Sequence, residues 1–377
     1  MKRAHSQDSA LFSNGMERND DIYSAILSGF CSEPRELFSF IQRHALTPFI
    51  YRNPEAVTKE IFAKVRQSHE YLLRKNLFMM KELIEIERLF GEKGIDTIHF
   101  KGPTLSYMLY GNIFMREFGD LDILIEESER ERAVEILESR GYEESPSTAW
   151  RRKKISYKGS KDISLQNREK GIAVELHWRL FDRYFPVQMD MCRIWSGRRE
   201  LNMGSHTFHT PDRESMLLYL SIHGAKHFWS RIGWIADIDA LIRQGELDWE
   251  KMERSYGSIC NSPIFLFAPY ISHRLFATPL PPAIERKIDT KIEILEDFEE
   301  FVYSNWRRER GMVARVLAMT ALLQRPREKS LYFKRVVLEP TANEYALFDL
   351  PPSLHFLYYL VRPMRLMKKY LSPFAGR

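Results

Sequence analysis

The hydrophobic period changes near Gly94, and no other feature limits the choice of fold as much. From Ala56 to Phe90 the apolar residues Ile61, Val65, Leu72, Leu73, Leu77, Met80, Leu83, Ile84 and Ile86 recur at helical spacing, and Gly91 and Gly94 supply a stop. Between Gly94 and Trp178, short β-rich runs alternate with short helices instead. One long amphipathic helix followed by such an alternation predicts an α+β unit. With 377 residues, of which 44% are apolar and 28% charged, the chain has material for two or three structural units and a sizeable core.

Punctuating residues place the elements. Ile95 to Phe100 reads as a strand, and Gly102-Pro103 then opens a helix to about Tyr110, because proline suits the first helical turn, where its missing donor is not needed. Leu121 to Glu126 is the next strand. Ser128, with Glu131 three residues on, is a capping-box signature for a helix that carries Val134, Ile136 and Leu137 and ends before Gly141. Lys154 to Tyr157 and Ile163 to Gln166 are strand candidates flanking a basic turn, and Ile172 to Trp178 is another. Thr210-Pro211-Asp212 marks a further helix start, with a cap residue, a proline at the first position and acidic residues in the first turn. These signals divide the chain into a polar tail (1–20), an N-terminal helical region (21–92) joined by Tyr23 to Ile50, an α+β core (93–205) and a C-terminal helical domain (206–377).

The 56 basic and 51 acidic side chains leave a net charge of +5, so local clustering says more about partners than the total. From Arg151 to Lys170 the basic residues Arg151, Arg152, Lys153, Lys154, Lys158, Lys161, Arg168 and Lys170 outnumber Asp162 and Glu169. A solvated hairpin is expected there, with an anionic-ligand surface as the other reading. Cys31, Cys192 and Cys260 lie far apart and form no C-x-x-C, which argues against a disulfide framework or structural zinc. The first twenty residues lack the apolar core of a secretory signal, and no apolar run is long enough to span a bilayer, so a cytoplasmic protein without a transmembrane segment is expected. The run Phe356 to Val361, followed by Arg362, Arg365, Lys368 and Lys369, suits a membrane-surface helix; Pro363 interrupts it, and a packed terminal helix is the expectation.

The chemistry centres on Asp120-Leu121-Asp122, which leads into the apolar strand Ile123-Leu124-Ile125. A period of two puts both carboxylates on one side of the chain, where their repulsion calls for a hard divalent cation such as magnesium. Just upstream, a strand ends in Lys101-Gly102 and opens a helix, whose N–H groups and positive dipole end offer an anion site, with Lys101 as a point charge. Downstream, Val174-Glu175-Leu176-His177-Trp178 alternates so that Glu175 and His177 face one way, which makes a third carboxylate available to complete a two-metal site. No G-x-x-x-x-G-K-[ST] loop, G-x-S-x-G elbow or G-x-G-x-x-G after a strand is present.

Together, Phe100-Lys101-Gly102 with its helix, Arg116 leading into Asp120 to Ile125, and Glu175-Leu176-His177-Trp178 resemble the uncharacterised nucleotidyltransferase family of the polymerase-β-like nucleotidyltransferase superfamily. His223-Gly224-Ala225-Lys226-His227, followed by Trp234 and Asp237, resembles that family's helical extension. The resemblance covers about Lys81 to Leu241. It implies a polymerase-β-like core with a mixed β-sheet, flanked by N-terminal and C-terminal helical regions. It also implies transfer of a nucleoside monophosphate from a nucleoside triphosphate to an acceptor, with release of pyrophosphate and with Mg2+, or Mn2+ in its place, as cofactor. On this likeness Asp120, Asp122 and Glu175 are the catalytic and metal-holding carboxylates, and Lys101, Gly102, Thr104 and Arg116 bind the nucleotide. Thr104 stands in for the serine hydroxyl of the Gly-Ser pair that usually opens the phosphate-binding helix.

His177, His223, Lys226 and His227 are auxiliary positions. His223 and His227 are four apart on a helix and share a face. Zinc is one reading, polar packing against the catalytic sheet is favoured because no third and fourth ligands follow, and a nucleotide or acceptor contact with Lys226 lies between. The acceptor is not identified by the sequence; a small molecule, peptide or protein is favoured over nucleic acid, since only Trp150 and Tyr157 interleave with the basic segment. The rival to catalysis is an inactive nucleotide- or protein-binding module of the same fold.

Overall fold

The computed structural model describes residues 21–31, 35–145, 160–183, 185–347 and 350–371. The polar tail and the strand expected over Lys154 to Tyr157 lie outside the described residues, as does residue span 151–159 of the basic segment. Three short helices, α1 (Asp21–Phe30), α2 (Leu37–Arg43) and α3 (Thr47–Arg52), precede one of 34 residues, α4 (Lys59–Glu92). Thr58 caps α4 by accepting the Ile61 N–H at 3.4 Å. Ile61, Val65, Leu72, Met79, Leu83, Ile86 and Phe90 form its buried stripe. Gly91 stays inside the last turn, and Gly94, with φ of +69°, ends the helix where a side chain would be strained.

The expected sheet is mixed. Its strands are β1 (Thr97–His99), β2 (Asp120–Ile125), β3 (Glu143–Glu144), β4 (Asp162–Asn167) and β5 (Ile172–His177), in the order β1-β2-β5-β4-β3. Only β2 and β5 run parallel. Helices α5 (Gly102–Tyr110) and α6 (Arg130–Glu138) follow β1 and β2. Strand alternation sorts the residues into two cores. Leu121, Ile123, Ile125, Val174 and Leu176 pack with Leu83, Ile86 and Phe90 of α4 and Val134 and Leu137 of α6. On the other face, Leu124 joins Ile98 and Phe100 in a core built with the second half of the chain.

That half runs through α7 (Met191–Ser196), the hairpin β6 (Arg199–Met203) and β7 (His206–Thr210), then α8 (Arg213–Lys226), α9 (Ile232–Arg243), α10 (Trp249–Cys260), α11 (Pro263–Phe276), α12 (Pro282–Asp289), α13 (Ile292–Arg307), α14 (Met312–Leu322), α15 (Pro326–Phe333), α16 (Ala342–Leu347) and α17 (Tyr358–Leu371). Tyr23, Phe40 and Phe49 of the N-terminal helices enter the same core as Leu217, Ile235 and Phe267. Helices from both ends of the chain therefore wrap the face of the sheet that carries Asp120 and Asp122.

Four local expectations are corrected. Ser128 does not cap α6: it sits in a 3-10 turn, Glu127–Glu129, closed by the Glu129 N–H on the Glu126 carbonyl at 3.0 Å, so the chain is already coiled where a cap must be extended. Thr210 does not cap α8 either; it ends β7 opposite Arg199, and Asp212 accepts the Ser215 N–H at 2.9 Å instead. The β6–β7 hairpin has no counterpart in the sequence reading, because half of its residues are exposed and Leu201, Met203 and Phe208 are its only apolar ones. Pro363 does not interrupt the last helix, which continues through it from Tyr358 to Leu371.

One turn aims the far wall of the site. After α8, Phe228 and Trp229 both adopt left-handed backbone, with φ of 56° and 46°, a conformation costly for aromatic residues. The turn folds the fully buried Trp229 ring back onto Gly224, and its carbonyl accepts the Trp306 indole N–H at 2.6 Å. A Cβ on Gly224 would lie 2.5 Å from that ring. Gly224→Ala is therefore expected to lower stability by about 1–3 kcal/mol through overpacking, read as a shifted urea midpoint; an unchanged midpoint would show that the turn relaxes at no cost.

Candidate active site

The parallel register of β2 and β5 sets Asp122 opposite Glu175, on the sheet face away from α4. One ligand atom each of Asp122, Glu175 and His177 lie within 4.8 Å of one another. Val174, Leu176 and Trp178 turn to the apolar core, so the alternation expected for this strand holds. Asp120 shares the cleft with Asp122 and Glu175 without belonging to the tight group.

Asp122 is buried, and its Oδ1 accepts from Lys101 Nζ at 2.7 Å and lies 3.1 Å from His177 Nε2. Its Oδ2 is buried with no hydrogen-bond partner. Burial opposes charge on Asp122, but Lys101 and His177 outweigh it and hold the carboxyl well below the usual carboxylate range. Burial also opposes charge on Lys101, and the Asp122 carboxylate outweighs that, raising the ammonium above the ordinary lysine range. Lys101 is thus a fixed cation rather than a base. Asp120 is pushed up to about 6 by burial and by the Asp122 and Glu175 carboxylates, against the pull of Lys101.

His177 binds the acidic pair together. Its Nε2 faces Asp122 Oδ1 at 3.1 Å and Glu175 Oε2 at 3.3 Å, while Nδ1 faces Lys161 Nζ at 3.4 Å. A lysine ammonium only donates, so Nδ1 is left as acceptor and Nε2 carries the proton shared by the two carboxylates. In that tautomer the ring orients Asp122 and Glu175 and offers no lone pair between them. The donors that remain are carboxylate oxygens, the unpartnered Asp122 Oδ2 foremost, and an oxygen set fits a hard divalent cation.

A cleft of about 440 Å³ opens over these groups, a size suited to a small-molecule ligand. Its far wall comes from α8, α9 and the strained turn between them: Tyr219, His223, Lys226, His227, Arg231 and Trp234. Desolvation, Lys101 and the neighbouring His227 hold His223 well below the usual histidine range, and His227 is likewise depressed to about 3 by desolvation, Lys226 and Lys101. Both rings are neutral near pH 7. They lie 4.7 Å apart and pack at 5.1 and 5.8 Å from Trp234, forming an aromatic wall. Among the described residues the trio on β2 and β5 is the group of three or more candidate metal ligands that meets, so nothing completes a zinc site at His223 and His227. Arg231 lies exposed at the rim, its guanidinium 5.6 Å from the Trp234 ring centre.

The remaining positions named from the sequence divide. Gly102 lines the cleft at the first position of α5 with φ of +60°, a conformation that requires glycine. Thr104 is fully buried and its hydroxyl donates to the Lys101 carbonyl at 2.9 Å, so it braces the helix start and does not line the cleft. Arg116 lines the cleft, yet its Nε donates to both Asp237 oxygens, at 3.0 and 2.9 Å, in a buried pair that ties the loop before β2 to α9. Lys161, Asp162, Tyr219 and Arg231 line the cleft without having been singled out as site residues. His223, Lys226, His227 and Trp234 of this wall were named from the sequence, whereas nothing in the local spacing of Arg231 distinguishes it from a surface arginine.

Comparison with curated proteins and with solved structures finds no match to this chain. A family model described as "Uncharacterised nucleotidyltransferase" matches residues 31–277, a span that takes in the whole sheet, the cleft and its helical wall. That span is well over half of the chain, and the protein belongs to the uncharacterised nucleotidyltransferase family, whose membership supports a general nucleotidyl-transfer function.

Proposed function

We propose that this protein transfers a nucleoside monophosphate from a nucleoside triphosphate to an acceptor in the presence of a divalent cation, Mg2+ or Mn2+, with release of pyrophosphate. The observation that carries the reading is the unpartnered, buried Oδ2 of Asp122, set beside Glu175 in the cleft. A bound cation would supply charge neutralisation on the phosphate oxygens. Asp122 and Glu175 would hold it, with Asp120 as a further carboxylate of the cleft and His177 as the residue that orients the first two. Lys101 holds Asp122 Oδ1 and leaves Oδ2 without a partner. The neutral rings of His227 and Trp234 offer π-faces to a base, and Arg231 and Lys226 on the same wall offer cations to the phosphates. Catalysis then rests on in-line positioning and charge neutralisation.

The test is nucleotide binding by calorimetry with and without Mg2+ or Mn2+, alongside pyrophosphate release with each of the four nucleoside triphosphates. Cation-dependent binding with turnover is the expected result. Cation-dependent binding with no turnover across a broad acceptor panel would leave the inactive binding module, and no cation-dependent binding would end both readings. Arg231→Ala is expected to weaken nucleotide affinity about tenfold, the scale of one charge-assisted contact, with the urea midpoint unchanged because the side chain is exposed. Equal affinity in the variant would move the phosphates away from the α8–α9 wall.

A further inference from the structure

The last helix, α17, turns two arginines inward and a stripe of apolar residues outward. Arg362 and Arg365 both engage the carboxylate of Glu344 on α16, which is fully buried. Tyr358 and Leu366 are buried on the same side of the helix. The side turned to water carries Phe356, just before the helix, then Leu360, Met364 and Met367, exposed by 61%, 59%, 67% and 57%. Steps of four, four and three place these four side chains on one stripe. A surface helix facing only water has the opposite arrangement.

The charge around the stripe indicates what covers it. Lys368 is exposed at the edge of the stripe, and Lys369 is exposed on the other side of the last turn. From Leu350 to Leu371 the chain contains no acidic residue and four cationic ones, of which Arg362 and Arg365 pair with Glu344. A second copy packed stripe to stripe would bring two such acid-free segments together, which like-charge repulsion opposes. An anionic lipid surface meets both needs, an apolar layer for Phe356, Leu360, Met364 and Met367 and phosphates for Lys368.

We propose that α17 is an interfacial helix that seats this protein on anionic lipid, with its axis along the membrane plane. No helix among the described residues is long and apolar enough to cross a membrane, so the attachment is peripheral. The seat is joined to the cleft by a short chain of contacts. Arg362 donates to the Val336 carbonyl at 3.2 Å in the π-turn Lys334–Leu338, and Arg335 of that turn donates to Asp182 Oδ2 at 2.7 Å. The same oxygen accepts from Lys226 of the cleft wall at 3.2 Å. The seat is thus connected to the cleft wall through Arg362, Arg335 and Asp182.

The experiment is co-sedimentation of the full chain with vesicles of phosphatidylcholine alone or mixed with phosphatidylglycerol. Wild-type protein is expected to pellet with the mixed vesicles only, and to be released by high salt. Leu360→Asp with Met364→Asp is expected to lower the partition coefficient at least tenfold, and Lys368→Glu with Lys369→Glu about tenfold or more. All four positions are exposed, so the variants keep their fold, and an unchanged urea midpoint verifies this. Absence of partition, or equal partition by the variants, overturns the proposal. So does a concentration-dependent dimer that Leu360→Asp with Met364→Asp dissolves, since the stripe would then belong to a second copy.

Discussion

Asp122→Asn is expected to reduce cation-dependent nucleotidyl transfer by about a thousandfold, close to 4 kcal/mol of lost transition-state stabilisation. The substitution is nearly isosteric, and the carboxamide oxygen still accepts from Lys101, so the cleft keeps its shape. What disappears is the negative charge on the oxygen that has no partner within the protein. Pyrophosphate release measures the loss directly, and calorimetry should show weaker cation-dependent nucleotide binding in parallel. A variant that retains activity within tenfold of wild type would remove Asp122 from the reaction, and with it the assignment of the cleft. The same substitution made at Asp120 is expected to cost less, because Asp120 stands outside the tight group and carries an upward-shifted carboxyl.

Asp237→Ala is expected to destabilise the protein by about 3 kcal/mol, because it leaves the largely buried Arg116 guanidinium without its counter-ion. Asp237 is almost wholly buried, and besides Arg116 it accepts from the Tyr110 hydroxyl at 2.9 Å. These bonds connect α5 and the loop before β2 to α9, so one carboxylate joins the sheet to the helical wall of the cleft. Urea denaturation measures the cost. The double variant Arg116→Ala with Asp237→Ala is expected to recover part of it, since no unpaired charge then remains buried. A single-variant cost below 1 kcal/mol would mean that Arg116 reaches solvent when its partner is gone. Should the double variant be as stable as wild type yet bind nucleotide poorly, the pair serves to place the loop that leads into Asp120.

Much of the α+β core was legible locally. The helical period of Ile61 to Phe90, the stop at Gly94, the helix start at Gly102-Pro103 and the alternation of Leu121 to Ile125 are short-range signals, and each matches an element within a few residues. Where the reading failed, a competing local geometry had won: the 3-10 turn at Ser128, the strand end at Thr210 and the exposed hairpin at Arg199 to Thr210. In the site, the order of Lys101, Asp120, Asp122 and Glu175 along the chain was enough to suggest a shared cleft. Their individual tasks were not, because those depend on which atoms meet. Thr104 is turned into the protein, Arg116 is committed to Asp237, and His177 stands between two carboxylates rather than at the margin.

By itself the sequence determined the long helix before the sheet, the strands of Asp122 and Glu175 and the face on which their carboxylates lie, since period and punctuation act over a few residues and need no partner. It also determined the resemblance that the family match bears out. Only the tertiary structure decided that Asp122 Oδ2 lacks a partner, that Lys101 is fixed to Oδ1, that α8 and α9 supply the opposite wall, and that α17 shows its apolar stripe to the outside. Each of these depends on the desolvation and pairing of groups far apart in the chain: Asp122 with Lys101, Arg116 with Asp237, Arg365 with Glu344. No local pattern encodes such pairings, because the energy of a buried charge is set by whatever the fold brings beside it.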